Sequence, residues 1–420
     1  MSNDTDSTVP DGAKRSSQPP TYVSYLRMIS TLLLIGILVA IFVGYNIGGA
    51  TTGPAFGPAV GADAISKTAA GALMTIFFFV GAWTIGRRVV DTLGRDLVHD
   101  PGVFTLEASV AVLFFIGVAL FIGNVFGVPA STSMTAVGSI AGLALAAGEL
   151  NWAVMGEIAI WWIVSPFIGF WVSLVIGRYF YAWLNRRIAM QRSEGPLFEV
   201  DRSGIVPTPT LTDTTNVREA GGVVMVIAIG CLMAYSSGTS NIANAVAPLV
   251  GSGELEMNPA IIIGCLAVGI GTFTIARRTL ETMGNELTEL PLTAAIVTAT
   301  VSATLVIFLS AIGIPASFVI IATMCIIGLG WGRATRPITV SEAVRGEESA
   351  PVSVGALSED REGEELPPIG EEEEPERIPK ASDLFDPATT ARVVLMQNVV
   401  PAIATIGAYV TFRFVPIFGI

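Results

Sequence analysis

The chain has 420 residues, of which 52% are hydrophobic and 14% charged, with a formal net charge of −12. Soluble globular chains carry roughly 25% charged residues, so this balance excludes an ordinary soluble domain and points to an integral membrane protein. Many of the acids lie outside the apolar runs, where they serve solubility, and the acidic balance gives no reason to expect a nucleic-acid partner.

In chain order, residues 1–22 are rich in Ser, Thr, Asp and Pro and read as a disordered tail, without the apolar region and cleavage site of a signal peptide. A first membrane repeat, 23–183, holds five apolar stretches. The first, 25–45, is close to the ~20 residues that a bilayer core requires. The second and third are 69–85 and 104–126. The fourth, 133–147, is short and rich in Gly and Ala, and fits a crossing or a half-helix. The fifth, 152–183, is bounded by aromatics, as interface-anchored helices often are. An Arg-bearing polar connector, 184–218, leads to a second repeat, 219–334, with spans at 220–235, 259–275, 292–312 and 317–331. A Pro/Glu-rich acidic linker, 335–387, precedes the segment 388–420, whose span at 393–415 is the partner of the fifth.

The halves are copies of one another. Thr51 and Asn241, Pro58 and Pro248, and Gly61 and Gly251 are each 190 positions apart. At the same offset, Arg87-Arg88 with Asp91-Thr92 and Gly94 aligns with Arg277-Arg278, Glu281-Thr282 and Gly284. A third pair, GVPAS from Gly127 and GIPAS from Gly313, has slipped by a few residues, as a changed loop length would produce. Five crossings per half is an odd number, so the second half would enter the membrane from the opposite side. The expected fold is therefore an all-α integral membrane protein in which two homologous halves form an inverted repeat. It would have about ten spanning segments plus interrupted helices. The interruptions are expected at 48–61 and 236–251, where small and polar residues follow an apolar run. Lipid cannot satisfy freed backbone groups, so breaks there would mark a protein-lined cavity and a transporter's binding site. The Arg-rich connector places the intervening face in the cytoplasm and both termini outside.

Cys231, Cys265 and Cys325 each sit inside an apolar run, without metal-ligand spacing or a disulfide framework. His99, the single histidine, lies in a short polar loop with no nucleophile beside it. Glu149 and Glu157 read as interfacial carboxylates, and Asp63 and Glu254 as loop residues. No Ser/Lys, Asp/Asp or His/Glu constellation is visible in the spans, so neither an enzyme nor a cofactor is expected.

The ordered motifs resemble those of the inorganic phosphate transporter (PiT) family. That family's GxND-x-AN-like segment corresponds to GTSNIANAVAPLVG from Gly238 and, more weakly, to GATTGPAFGPAVG from Gly49. Its (K/R)T(I/L)G-like segment corresponds to DTLG at Asp91 and ETMG at Glu281, and its GxPVSTTH-like segment to GVPASTSM at Gly127 and GIPASFV at Gly313. The resemblance implies a sodium- or proton-coupled symporter for phosphate, with relatives that carry sulfate. It also exposes departures. Where the family has a motif carboxylate in each half, this chain has Thr51 and Asn241; the histidine position is Met134, and the first-half mate of Asn244 is Pro54.

An anion held without Lys or Arg in the spans must rely on hydroxyls, amides and helix N-termini, which carry roughly half a positive charge. Ser131, Thr132 and Ser133 follow Pro129, which suits a helix start, and they are the first candidates for the substrate site. Asn241, Asn244, Ser240, Thr51 and Ser317 join them on the family's motifs. The expected function is a multi-pass cell-membrane transporter of inorganic phosphate with altered or weak sodium dependence. The coupling ion would be Na+ or H+. The alternatives are a permease for sulfate or another oxyanion, and a non-transporting protein that keeps the scaffold. Expected partners are the inorganic anion and membrane lipid, with a second copy of the chain as a further candidate.

Overall fold

The computed structural model describes residues 31–61, 64–125, 131–188, 198–201, 208–211, 217–275, 292–335 and 387–415. The tail at 1–22, Asp63, residues 127–130 of one motif, the ETMG segment at Glu281 and nearly all of the acidic linker lie outside the described residues.

The first repeat comprises α1 (Thr31–Gly61), α2 (Lys67–Asp96), α3 (Leu106–Val125), α4 (Thr132–Ala147) and α5 (Trp152–Val175). Helix α5 runs on through a π-helical turn into Tyr181–Ile188. A two-stranded antiparallel ribbon, β1 (Phe198–Asp201) and β2 (Thr208–Leu211), occupies part of the connector. The second repeat comprises α6 (Val217–Gly251), α7 (Met257–Thr274), α8 (Leu292–Ala311), α9 (Phe318–Ala334) and α10 (Pro387–Phe414). Seven helices among the described residues are long and apolar enough to cross a membrane, and α4 and α9 are shorter apolar helices. Large apolar side chains such as Trp152, Trp171, Trp183, Trp331 and Phe414 are exposed on the outer surface, where lipid rather than water is their solvent.

The interrupted helices expected at 48–61 and 236–251 are a correction: α1 and α6 are helical through both segments. The hydroxyls there return to their own helix, Thr51 to the Ile47 carbonyl at 2.8 Å, Thr52 to Gly48 at 2.6 Å and Thr239 to Ser236 at 2.7 Å. Such back-bonding satisfies the hydroxyl without opening the backbone. Pro248 lies in the last turn of α6, where it removes one backbone bond close to the helix end. The small residues have a packing role instead.

A β-carbon at Gly48 would overlap the Val268 carbonyl oxygen, and one at Gly238 would overlap that of Phe78. Gly271 meets the Tyr45 carbonyl in the same way, and Gly81 meets that of Tyr235. Each of these residues is 190 positions from its counterpart. Thus α1 packs on α7 of the other half while α6 packs on α2, through equivalent backbone contacts. The same exchange joins α5 to α9, where Gly328 meets the Phe170 carbonyl, and α4 to α10, where Gly142 meets the Thr405 carbonyl. Close approach of backbones at Gly is the usual basis of helix association in lipid. The halves are interleaved rather than side by side.

Candidate functional site

Helix α4 begins at Ser131, whose hydroxyl accepts from the Met134 amide at 3.3 Å as an N-cap. Capping uses an oxygen lone pair and leaves the hydroxyl proton to donate elsewhere. Helix α9 begins in the same way at Ser317, but there the hydroxyl makes no capping bond and is buried without a partner. The turn that delivers Ser317 is held from α2. Arg88 donates to the Ala311 carbonyl at the end of α8, and a β-carbon at Gly313 (φ +83°) would meet the Thr92 hydroxyl. Gly94 of the same DTLG segment allows α2 to approach the Ala247 carbonyl of α6. That motif therefore positions the site rather than lining it.

The two helix starts meet at the middle of α6. Ser133 donates to the Ala316 carbonyl at 2.9 Å, and Ser240 donates to the same oxygen at 3.0 Å. The Ala316 amide donates back to Ser240 at 3.2 Å, and the Ser133 and Ser240 oxygens are 3.2 Å apart. One turn on from Ser237, Thr132 donates to Asn241 Oδ1 at 2.5 Å. Asn241 Nδ2 donates to Ser237 Oγ at 3.0 Å, and Asn244 Nδ2 donates to Asn241 Oδ1 at 3.2 Å. Asn244 Oδ1 is buried and has no partner. Every side chain in this cluster is buried except Thr132, which is partly exposed.

Seven of the eight candidates from the sequence, Ser131, Thr132, Ser133, Ser240, Asn241, Asn244 and Ser317, are thus gathered where α4, α6 and the start of α9 meet. Thr51 is not joined to them by any hydrogen bond among the described residues; its proton is spent on Ile47 of its own helix. Ser237 was missed, although it precedes Asn241 by four residues and so shares its helical face. A second polar group was missed on the α1 side: Asn124 Nδ2 donates to Asn46 Oδ1 at 3.0 Å, and the Thr52 and Thr272 hydroxyl oxygens lie 3.1 Å apart. A lone Asn inside an apolar span needs a partner, and Asn124 carried that signal. His99, Glu157 and Glu254 are exposed, in keeping with their loop and interfacial readings. A cavity of about 580 Å3 adjoins the Gly313 turn, lined by Arg95, Asp96, His99, Asn151 and Glu157 among others, and it shares no residue with the polar cluster.

The electrostatics follow from the composition of the cluster. It contains no Asp, Glu, His, Lys or Arg, so its field comes from dipoles. Two helix N-termini directed at one place supply unpaired N–H groups and partial positive charge, an arrangement suited to an oxyanion.

The model of the phosphate transporter family matches residues 47–353, well over half of the chain. The chain is 28% identical over 274 residues to the sulfate permease CysP of Bacillus subtilis, covering 65% of this chain and 70% of that protein. It is also 28% identical over 342 residues to a protein of Thermococcus kodakarensis named "Putative phosphate permease", covering 66% and 83%. Among solved structures, one titled "The sodium-dependent phosphate transporter" has a TM-score of 0.61 at 18% identity, covering 92% of this chain and 100% of that one. The last likeness shows the shared fold.

Proposed function

The chain belongs to the phosphate transporter family, and from that premise we propose that it carries inorganic phosphate on neutral donors gathered at the starts of α4 and α9. The observation that carries this reading is the shared Ala316 carbonyl. By accepting from both Ser133 and Ser240, it brings two helix N-termini together against the centre of α6. A tetrahedral oxyanion there would take hydrogen bonds from Ser131, Thr132 and Ser317 and from the first-turn amides of α4. Because the site is buried, those dipoles act in a poorly screened environment and count for more than they would in water. The halves, read as an inverted repeat, would expose the site alternately to each side of the membrane. The interleaved packing at a constant offset of 190 supports that reading.

Sulfate is the second reading, and a specific observation favours it. A relative of this chain is named a sulfate permease, and no carboxylate stands in the cluster to accept the proton that hydrogen phosphate carries and sulfate lacks. Uptake of labelled phosphate into proteoliposomes, with sulfate as competitor, tests both. Saturable phosphate uptake that sulfate inhibits weakly is the expected result. Strong inhibition with direct sulfate uptake selects the second reading, and no uptake of either anion rejects both.

A further inference from the structure

We propose that the far end of α5 and the end of α9 bind the phosphodiester headgroup of an anionic membrane lipid, with Arg178 and Arg333 as the cationic groups. The inference needs only that the chain spans a membrane, and it is independent of the anion-transport reading. Arg178 lies in the π-helical turn Ile176–Phe180, and Arg333 lies in the last turn of α9. Glycines bring the two backbones together there. A β-carbon at Gly332 would overlap the Leu174 carbonyl and lie 2.9 Å from the Arg178 amide nitrogen. One at Gly177 would lie 3.2 Å from the amide nitrogen of Arg333. Two positive side chains therefore leave the same helix crossing.

That crossing supplies aromatic rings and no counter-charge. Arg333 is 5% exposed, and its guanidinium carbon is 4.1 Å from the centre of the Tyr181 ring. The Arg178 guanidinium carbon is 5.7 Å from the Tyr179 ring, and its Nε is buried with no hydrogen-bond partner. No Asp or Glu occurs in α8, in α9 or in residues 158–188 of α5. A ring face attracts a cation but does not take the in-plane N–H bonds of a guanidinium. A phosphate oxygen pair does, and it matches the guanidinium fork.

Depth selects a lipid as the source of that phosphate. At 1.5 Å per residue, Arg178 lies about 39 Å along α5 from Trp152. The hydrocarbon core is ~30 Å thick, so a helix whose exposed Trp152 sits at one interface carries Arg178 into the headgroup layer of the other. Tyr179, Phe180, Trp183 and Trp331, close in sequence to the two arginines, are exposed apolar surface for the lipid body. The polar cluster is at the opposite end of α9, about 24 Å along the helix. The equivalent crossing of the other half lacks the charge pair: α4 carries Ala147 where α9 carries Arg333, at the 186-residue offset of the GVPAS and GIPAS segments.

The test is native mass spectrometry of the purified protein after exposure to phosphatidylglycerol, phosphatidylcholine or inorganic phosphate, with thermal unfolding followed on the same samples. Retention of phosphatidylglycerol in preference to phosphatidylcholine, with a raised melting temperature, is the expected result. Arg178→Gln should weaken phosphatidylglycerol retention about tenfold and abolish the rise, with phosphatidylcholine retention unchanged. Arg178→Lys, which keeps the charge and loses the fork, should weaken it about threefold and serves if the glutamine variant does not fold. Arg413→Gln removes an exposed charge from the last turn of α10 and should retain phosphatidylglycerol as the native protein does. Equal retention of the two lipids, or an equal loss in the Arg178 and Arg413 variants, overturns the proposal. Displacement of phosphatidylglycerol by inorganic phosphate gives the crossing to the free anion and overturns it as well.

Discussion

At the residue scale, the site separates two jobs that a serine at a helix start can do. Ser131 caps α4 through its oxygen, and its proton is the part an anion would use. Ser131→Asp keeps the capping oxygen and adds favourable charge for the helix N-terminus, but it places a carboxylate against the anion. The expected outcome is an unchanged melting temperature with phosphate uptake lost. Thr132→Ala makes the complementary test, since it removes a hydroxyl without touching the cap. Leaving a desolvated anion oxygen unpaired typically costs ~1–3 kcal/mol, so affinity should fall by about tenfold or more. Retained uptake in Ser131→Asp together with native affinity in Thr132→Ala would show that these residues only cap and pack.

At the element scale, the motifs located the polar cluster but not the form of the helices that carry it. Order and spacing identified Ser131 to Ser133 and Ser240 to Asn244, because chemistry at those positions needs specific side chains. The interruption of α1 and α6 was inferred from Gly, Ser, Thr and Pro, residues that break helices in water. In a membrane the same residues let helices touch, and the hydroxyls find a carbonyl three or four residues back. Sequence composition does not separate the two cases; the neighbouring helix does. Gly48 and Gly238 illustrate the point, since each faces a carbonyl of the other half at equivalent positions. Gly48→Ala and Gly238→Ala should each lower thermal stability, at a cost of about 1–3 kcal/mol for forcing an extra carbon into a packed crossing. Gly156→Ala is the control, because nothing lies within 4 Å of its added carbon and alanine is the better helix former. Equal melting temperatures for all three variants would mean that the crossings are looser than the backbone contacts indicate.

At the scale of the whole molecule, the question is whether a cation moves with the anion. A bare anion beside two carboxylates is repelled, and bound cations relieve the repulsion. Here the carboxylate positions hold Thr51 and Asn241, one satisfied within its own helix and the other within the α4–α6 cluster. The repulsion is gone, and so is the strongest reason for a cation to bind there. Neutral oxygens still ligate sodium, but they contribute no net charge, and hard cations favour carboxylate ligands. Native uptake is therefore expected to depend weakly on sodium, or only at very high salt. Asn241→Asp restores one carboxylate on α6 and should steepen the dependence while lowering uptake in sodium-free buffer. The measurement is initial uptake of labelled phosphate against sodium concentration in both proteins, at constant ionic strength so that general screening does not vary. Half-saturation at low millimolar sodium in the native protein would falsify this account. It would place the cation on groups outside the cluster, with the Asn46–Asn124 pair and the Thr52–Thr272 contact on the α1 side the first to be substituted.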